Sequence, residues 1–217
     1  YTTFDFTDKF TPGPGTTFQV QRGQFDKLLA DTAISQGVDI RFGHQVDSVD
    51  ISAEPTLQVT NEQGQPYQIN AKFIVDASGF GRVLPRLLNL ERPSSLPSRS
   101  AIFTHIEDNI CDSEFDRNKI LISVHPEHKD IWYWLIPFSN NRCSIGVVGE
   151  PHLLAHLTGS LEQQLLDIIA QEPDLKRLLA HAKVVQPCQT LQGYSANVTT
   201  LATNKFALLG NAGEFLD

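Results

Sequence analysis

Three stretches of the 217-residue chain have residue types and spacings suited to chemistry. Asp76-Ala77-Ser78-Gly79-Phe80-Gly81 follows the short apolar run Phe73-Ile74-Val75. Small residues after a strand let the main chain approach a ligand closely, and the free N–H groups that open a helix favour an anion or a polar edge. Gly210-Asn211-Ala212-Gly213 follows Phe206-Ala207-Leu208-Leu209 in the same manner. The third stretch, Ile131-Trp132-Tyr133-Trp134-Leu135-Ile136-Pro137, holds both tryptophans. Its aromatic and β-branched residues predict a strand stopped by Pro137, with Trp132, Trp134 and Ile136 on one face and Tyr133 and Leu135 on the other. Two indoles then make a flat apolar wall, either core packing or the side of a site. Arg22, at the edge of a predicted helix, is either a solvated charge or a guanidinium fork suited to a pyrophosphate.

Several other chemistries are excluded or disfavoured. Leu84 stands where a dinucleotide fingerprint needs a third small residue after Gly79-x-Gly81. Ser78 lies in Ala-Ser-Gly after an aspartate, and no G-x-S-x-G elbow exists for a serine hydrolase. His125-Pro126-Glu127-His128 lacks a nearby third ligand and the pair His152/His156 lacks a glutamate base, so no metal site is expected. Cys111, Cys143 and Cys188 are odd in number and widely spaced, which reads as reduced thiols of a cytoplasmic protein. A net charge of -8 without a basic run argues against nucleic acid or an anionic membrane as partner. No apolar stretch approaches the roughly 18 residues of a membrane span, and the N-terminus lacks the pattern of a signal peptide. The chain has no methionine, so a piece of a longer protein is expected.

The elements that must position these residues follow from periodicity. Strands are predicted over 16–20, 39–42, 45–51, 56–60, 67–70 and 73–75. A helix over 23–36 follows from the helical spacing of Phe25, Leu28, Leu29 and Ile34, with Gly37 at its C-cap. After the Ser- and Pro-rich 93–97 come strands over 101–106, 120–124, 131–137 and 143–148, an antiparallel meander with the indole strand inside it. Ser160 is positioned to cap a helix burying Leu161, Leu165, Leu166 and Ile169, and Pro173-Asp174 opens another. The fold class is α/β (α+β): a βαβ-type layer with a β-hairpin, plus an antiparallel sheet with covering helices.

The pattern Trp132-x-Trp134-x-Ile136-Pro137 resembles the internal motif of the flavin-dependent halogenases of tryptophan, phenol and pyrrole, which share the fold of the flavin aromatic hydroxylases. Asp76-Ala77-Ser78-Gly79 resembles the form that halogenases and related reductases take at the hydroxylases' Asp-Gly motif. Residues 19–29 resemble the family's R-x-x-F-D-x-x-L segment. The C-terminal stretch resembles G-D-A-A-G-F-x-D-P, with Asn211 in place of the aspartate and Glu214 where a small residue is expected. The resemblance implies FAD as cofactor, bedded by Arg22, the backbone at Val46, Ser78, Gly79, Gly210 and Asn211. It makes Trp132 and Trp134 the catalytic barrier strand, keeping organic substrate from the flavin so that only a small oxidant leaves it. Reduced FAD, oxygen and halide would act on a small, electron-rich aromatic, with a separate flavin reductase as partner.

The same resemblance divides the chain into a partial FAD-binding domain at 1–92, a substrate domain at 93–200 and a return to the first domain at 201–217. It places the first Gly-rich loop and the relay lysine upstream of residue 1, so the chain alone is expected to hold FAD weakly and to be inactive. A flavin monooxygenase or geranylgeranyl-reductase type of enzyme shares the glycine motifs without needing the indole pair. A non-catalytic binding module is the reading from another class.

Overall fold

The computed structural model describes residues 2–113 and 115–215; Leu216 and Asp217, the end of the C-terminal motif, lie outside them. Helix α1 (Arg22–Ser35) forms where its spacing predicts. Gly37 closes it in the left-handed region at φ +90°, donating to Ile34 O at 2.9 Å while Val38 N donates to Ala33 O at 3.1 Å. These bonds satisfy carbonyls that the helix leaves orphaned. Helix α1 buries no residue, and Phe25, Leu28, Leu29 and Ile34 are all exposed. Helical spacing is a local property, whereas burial needs a facing element.

Strands β1 (Gln45–Asp50), β2 (Thr56–Thr60) and β3 (Pro66–Asn70) make a three-stranded antiparallel sheet in chain order. The predicted strands at 16–20 and 39–42 are absent. Their backbone meets no neighbouring ladder among the described residues, and a strand is defined by its pairing partner. Strand β4 (Ile74–Asp76) pairs in parallel with β13 (Phe206–Leu208), Ile74 opposite Phe206 and Asp76 opposite Leu208. The 73–75 run is half-buried rather than enclosed, because Ile74 and Asp76 face the core while Phe73 and Val75 are exposed. Ile74, Phe206 and Leu208 pack with Leu84 of α2 (Val83–Leu87) and with Val49, Ile51 and Leu57 from the three-stranded sheet. A short ladder of β5 (Glu91–Arg92) and β12 (Asn197–Val198) lies beyond.

The larger sheet contains β6 (Ser100–Glu107), β7 (Leu121–Val124), β8 (Trp132–Pro137), β9 (Arg142–Gly149), β10 (Lys183–Val184) and β11 (Gln189–Gln192). Its order is β10-β6-β9-β8-β7, with β11 also on β6. Only β7-β8-β9 is a meander; β6 lies beside β9, not β7, and the indole strand is internal. The connection over 108–120 makes this crossing, too long for a tight hairpin. It is pinned by Asp108, whose buried carboxylate takes two bonds from Arg117 at 2.9 and 3.1 Å. The Cys143 thiol donates to Asp108 Oδ2 at 3.1 Å and Ile110 N to Oδ1 at 3.1 Å.

Covering helices α3 (Pro151–Leu154), α4 (Leu161–Ile169) and α5 (Pro173–Leu178) pack on one face of this sheet. Ser160 caps α4 by accepting from Gln163 N at 3.2 Å. Glu172 caps α5 through Leu175 N at 2.6 Å. On α4, Ile168 is buried and Leu166 is exposed, the reverse of the predicted face at those two positions. Ile131, Tyr133 and Leu135 are wholly enclosed beneath the helices, each contributing on the order of 1.5–3 kcal/mol of apolar burial.

Burial drives the Asp108 carboxyl upward, but the bonds from Arg117, Cys143 and Ile110 outweigh it and hold it below the usual carboxylate range. A depressed carboxyl stabilises the fold above its unfolded pKa and loses that contribution as pH falls through the folded value. Arg117→Ala is expected to lower stability by about 2 kcal/mol at pH 7, less at acid pH, since it leaves the buried carboxylate without its charged donor. Urea denaturation at both pH values, with an unchanged m-value, checks this.

Candidate functional site

The two parallel strands β4 and β13 end side by side, and both glycine turns leave from those ends. In open α/β sheets such carboxyl ends are where ligands bind. Asp76 organises the first turn: Oδ1 accepts from Ser78 N and Oδ2 from Leu84 N, both at 2.7 Å. Ser78 Oγ accepts from Val83 N at 3.0 Å. Gly79 at φ +59° and Gly210 at φ +53° take the left-handed conformation that glycine adopts without strain. A Cβ built on either meets no atom within 4 Å, so both turns present bare backbone to open space.

Arg82 joins the turns, a role the sequence does not announce. It sits between the first turn and α2 in the left-handed region at φ 46°, and it is buried. Its Nη1 donates to Asn211 O at 3.3 Å and Gly213 O at 3.2 Å. Nη2 donates to Asn197 O at 3.1 Å, and Nε to Glu91 Oε1 at 3.1 Å. A planar fork with several fixed donors satisfies three segments at once, which an ammonium cannot.

The indole strand turns its two faces to different environments. Tyr133 and Leu135 enter the core under α4 and α5, and Tyr133 Oη donates to Ile168 O at 3.0 Å. Trp132 and Trp134 lie half-buried on the opposite face, clustered with Phe103, Leu191, Tyr194 and Phe215. Phe80 of the first glycine turn meets Tyr194 at 6.5 Å and Phe215 at 5.7 Å between ring centroids. One apolar surface, with Ala101 and Val148 in the same cluster as both sets of rings, therefore runs from the glycine turns to the indoles, whose ring centroids stand 6.0 Å apart. Beside it, Phe80, Tyr194, Arg82, Arg86 and Arg92 line a groove of ≈ 500 Å³.

His105 shares the indole face, opposite Ser144 in the ladder and edge-on to Phe138 at 5.3 Å. Burial and the neighbouring Arg142 lower its pKa, leaving a neutral ring at pH 7. Strand alternation places it there once β6 is aligned.

The other candidates fall elsewhere. Arg22 is exposed and paired with Asp26, Nε to Oδ1 at 2.9 Å. Val46 sits on β1 opposite Val59. Among the described residues no hydrogen bond or ion pair ties either one to the glycine turns. His125 has both ring nitrogens occupied: Nδ1 accepts from Glu127 N and His128 N at 3.1 Å, and Nε2 faces Gln171 Oε1 at 2.9 Å. Its work is to hold the turn before β8. Burial pushes the Cys143 thiol up to about 12, so it is a protonated donor.

The tryptophan halogenase family model matches residues 7–178. The chain belongs to that family. It is 25% identical over 205 residues to a 1H-pyrrole-2-carbonyl-[peptidyl-carrier protein] chlorinase of Pseudomonas fluorescens, covering 93% of this chain and 46% of that protein. It is 25% identical to the tetracycline 7-halogenase of Kitasatospora aureofaciens, covering 90% and 38%. Among solved structures, a flavoprotein/dehydrogenase from Cytophaga hutchinsonii matches at 39% identity and a TM-score of 0.91, covering 99% of this chain and 52% of that one. The myxobacterial chondrochloren halogenase, an FAD-dependent halogenase, matches at 28% identity and a TM-score of 0.80, over 96% and 49%. The chain spans about half the length of the relatives it matches.

Two outcomes are expected from this geometry. Arg82→Lys should cost about 2 kcal/mol, because a point donor replaces charged bonds to three segments, and amide hydrogen exchange at 210–214 should quicken. Because folding lowers the His105 pKa, stability should decline as pH falls below about 6.5, where the unfolded ring gains a proton that the folded ring resists. His105→Gln should flatten that decline in thermal melts taken from pH 7.5 to 5.5.

Proposed function

We propose that these residues are part of an FAD-dependent halogenase that uses reduced FAD, oxygen and halide on a small, electron-rich aromatic. The observation that carries the reading is the apolar cluster, rich in aromatic rings, that joins the glycine turns to Trp132 and Trp134. A planar cofactor fits such a place: bare backbone at Gly79 and Gly210, with open space where side chains would stand, and aromatic rings alongside. When bound, FAD supplies the activation of oxygen and, with halide, the hypohalous oxidant.

The chain's own residues bind, orient and exclude. Gly79 and Gly210 let the backbone come close, and Ser78 and Asn211 offer polar edges. An amide at position 211 both donates and accepts, so it suits a hydroxylated chain as well as an acceptor-only carboxylate does. Trp132 and Trp134 close the flavin side to organic substrate. Arg22 and the backbone at Val46 complete the bed by family resemblance, and Arg22 would exchange Asp26 for a phosphate. The division at residues 92 and 200, a separate flavin reductase and a cytoplasmic setting belong to the same proposal.

A second reading, an FAD oxidoreductase that does not use halide, is favoured by the 39% identity to a flavoprotein/dehydrogenase. The test is FAD binding by this chain and by the full-length protein, then turnover of the latter with a flavin reductase, bromide and phenolic or indolic acceptors. Bromide-dependent brominated product is expected, lost in Trp134→Ala. Oxygenated or reduced product independent of bromide would favour the second reading, and absence of flavin from both proteins would end the flavoenzyme proposal.

A further inference from the structure

We infer that Gly146 is the position that sets the pose of Trp134, with Ser144 holding the indole's polar edge, so that the two govern how tightly the barrier closes. The inference rests on Trp134 being a barrier residue, as proposed above. Gly146 is buried in the interior of β9, where glycine weakens a strand and marks a close approach by another group. The approaching group is the indole. A Cβ at position 146 would lie 2.2 Å from Trp134 Cζ2, 2.3 Å from Cη2 and 2.7 Å from Cε2. Gly146 has no positive φ, so space rather than backbone conformation demands the missing side chain.

The ladder makes this contact direct. Trp134 on β8 and Phe103 on β6 are both opposite Gly146, one from each side. Their rings come within 6.0 Å of each other, a meeting that the vacant position between them permits. Two residues earlier on the same face of β9, Ser144 Oγ accepts from Trp134 Nε1 at 3.0 Å. One residue removes the obstacle beneath the ring and the other fixes its rotation. A flat indole directed along the sheet, not standing off it, is the consequence.

The first experiment needs no flavin. Trp132→Phe leaves Trp134 the sole tryptophan of this chain, so its emission reports one ring. In that background Gly146→Ala should shift emission to the red and raise acrylamide quenching, as the ring is lifted toward water. Ser144→Ala should shift emission with a smaller change in quenching. Gly146→Ala should also lower the melting temperature, but not when Trp134 is Val, since the clash is then gone; this cycle keeps the test meaningful if the single variant folds poorly. Unchanged emission, or the same loss of melting temperature in both backgrounds, would overturn the inference.

In the flavin-loaded full-length protein, Gly146→Ala should reduce halogenated product by about 100-fold, the scale of a 1 Å misplacement, with more of the reduced flavin's electrons recovered as hydrogen peroxide. If halogenation and peroxide yield stay at wild-type values while emission shifts, position 146 sets the ring but does not govern the barrier, and that half of the inference fails. If wild type holds no flavin, the functional reading fails while the fluorescence cycle still decides the pose.

Discussion

A guanidinium drawn out of water costs several kcal/mol unless its donors are satisfied, and Arg82 is buried with partners from the Asn211–Gly213 turn, from Asn197 and from Glu91. The constraint runs both ways. Arg82 can remain inside only when the turn after β13 presents its carbonyls, and it adds to the β4–β13 ladder and the Leu209 N to Asp76 O bond in holding the two turns side by side. Asp76 applies the same logic within the first turn, spending both oxygens on backbone N–H groups. Two short strands, only three residues each, thus end in a rigid pair of turns whose exposed feature is backbone.

The second organising fact is that one strand serves two surfaces. Alternation along β8 sends Tyr133 and Leu135 under the covering helices and Trp132 and Trp134 to the other side, so the helix-covered core and the indole face are separated by a single sheet. The core face is filled by residues at 0% exposure, whereas the indoles on the other face are only half-buried. Phe80, Tyr194 and Phe215 then connect that face to the turns. The same sheet carries its own structural charge cluster at Asp108, set apart at the entry to a connecting loop.

Much of this was legible in the chain. The β-branched and aromatic runs around residues 101–106, 131–137 and 143–148 have the length and alternation of strands, and Ser160 and Gly37 mark helix ends by known capping chemistry. The glycine turns were legible as close-approach sites because small residues cluster directly after apolar runs. What escaped was everything set by partners distant in sequence. Strands at 16–20 and 39–42 depend on a neighbour that local pattern cannot supply, and the burial of Phe25 and Leu28 depends on a facing surface. The placement of β6 beside β9 is a matter of topology. Arg82 binds carbonyls more than a hundred residues away, which leaves no local mark. Gly146 did leave one, a glycine inside a strand, and its meaning appears only when Trp134 is placed opposite.

On the function proposed above, a flavin lies between the glycine turns and the indole face. The most direct measurement is the fluorescence of FAD bound to the full-length protein, in wild type and in Trp132→Phe and Trp134→Phe. Indoles stacked near an isoalloxazine quench it, so bound FAD should be dark in wild type and brighten in both variants at equal occupancy. Bound FAD whose emission ignores both tryptophans would place the cofactor away from the indole face and rule this placement out.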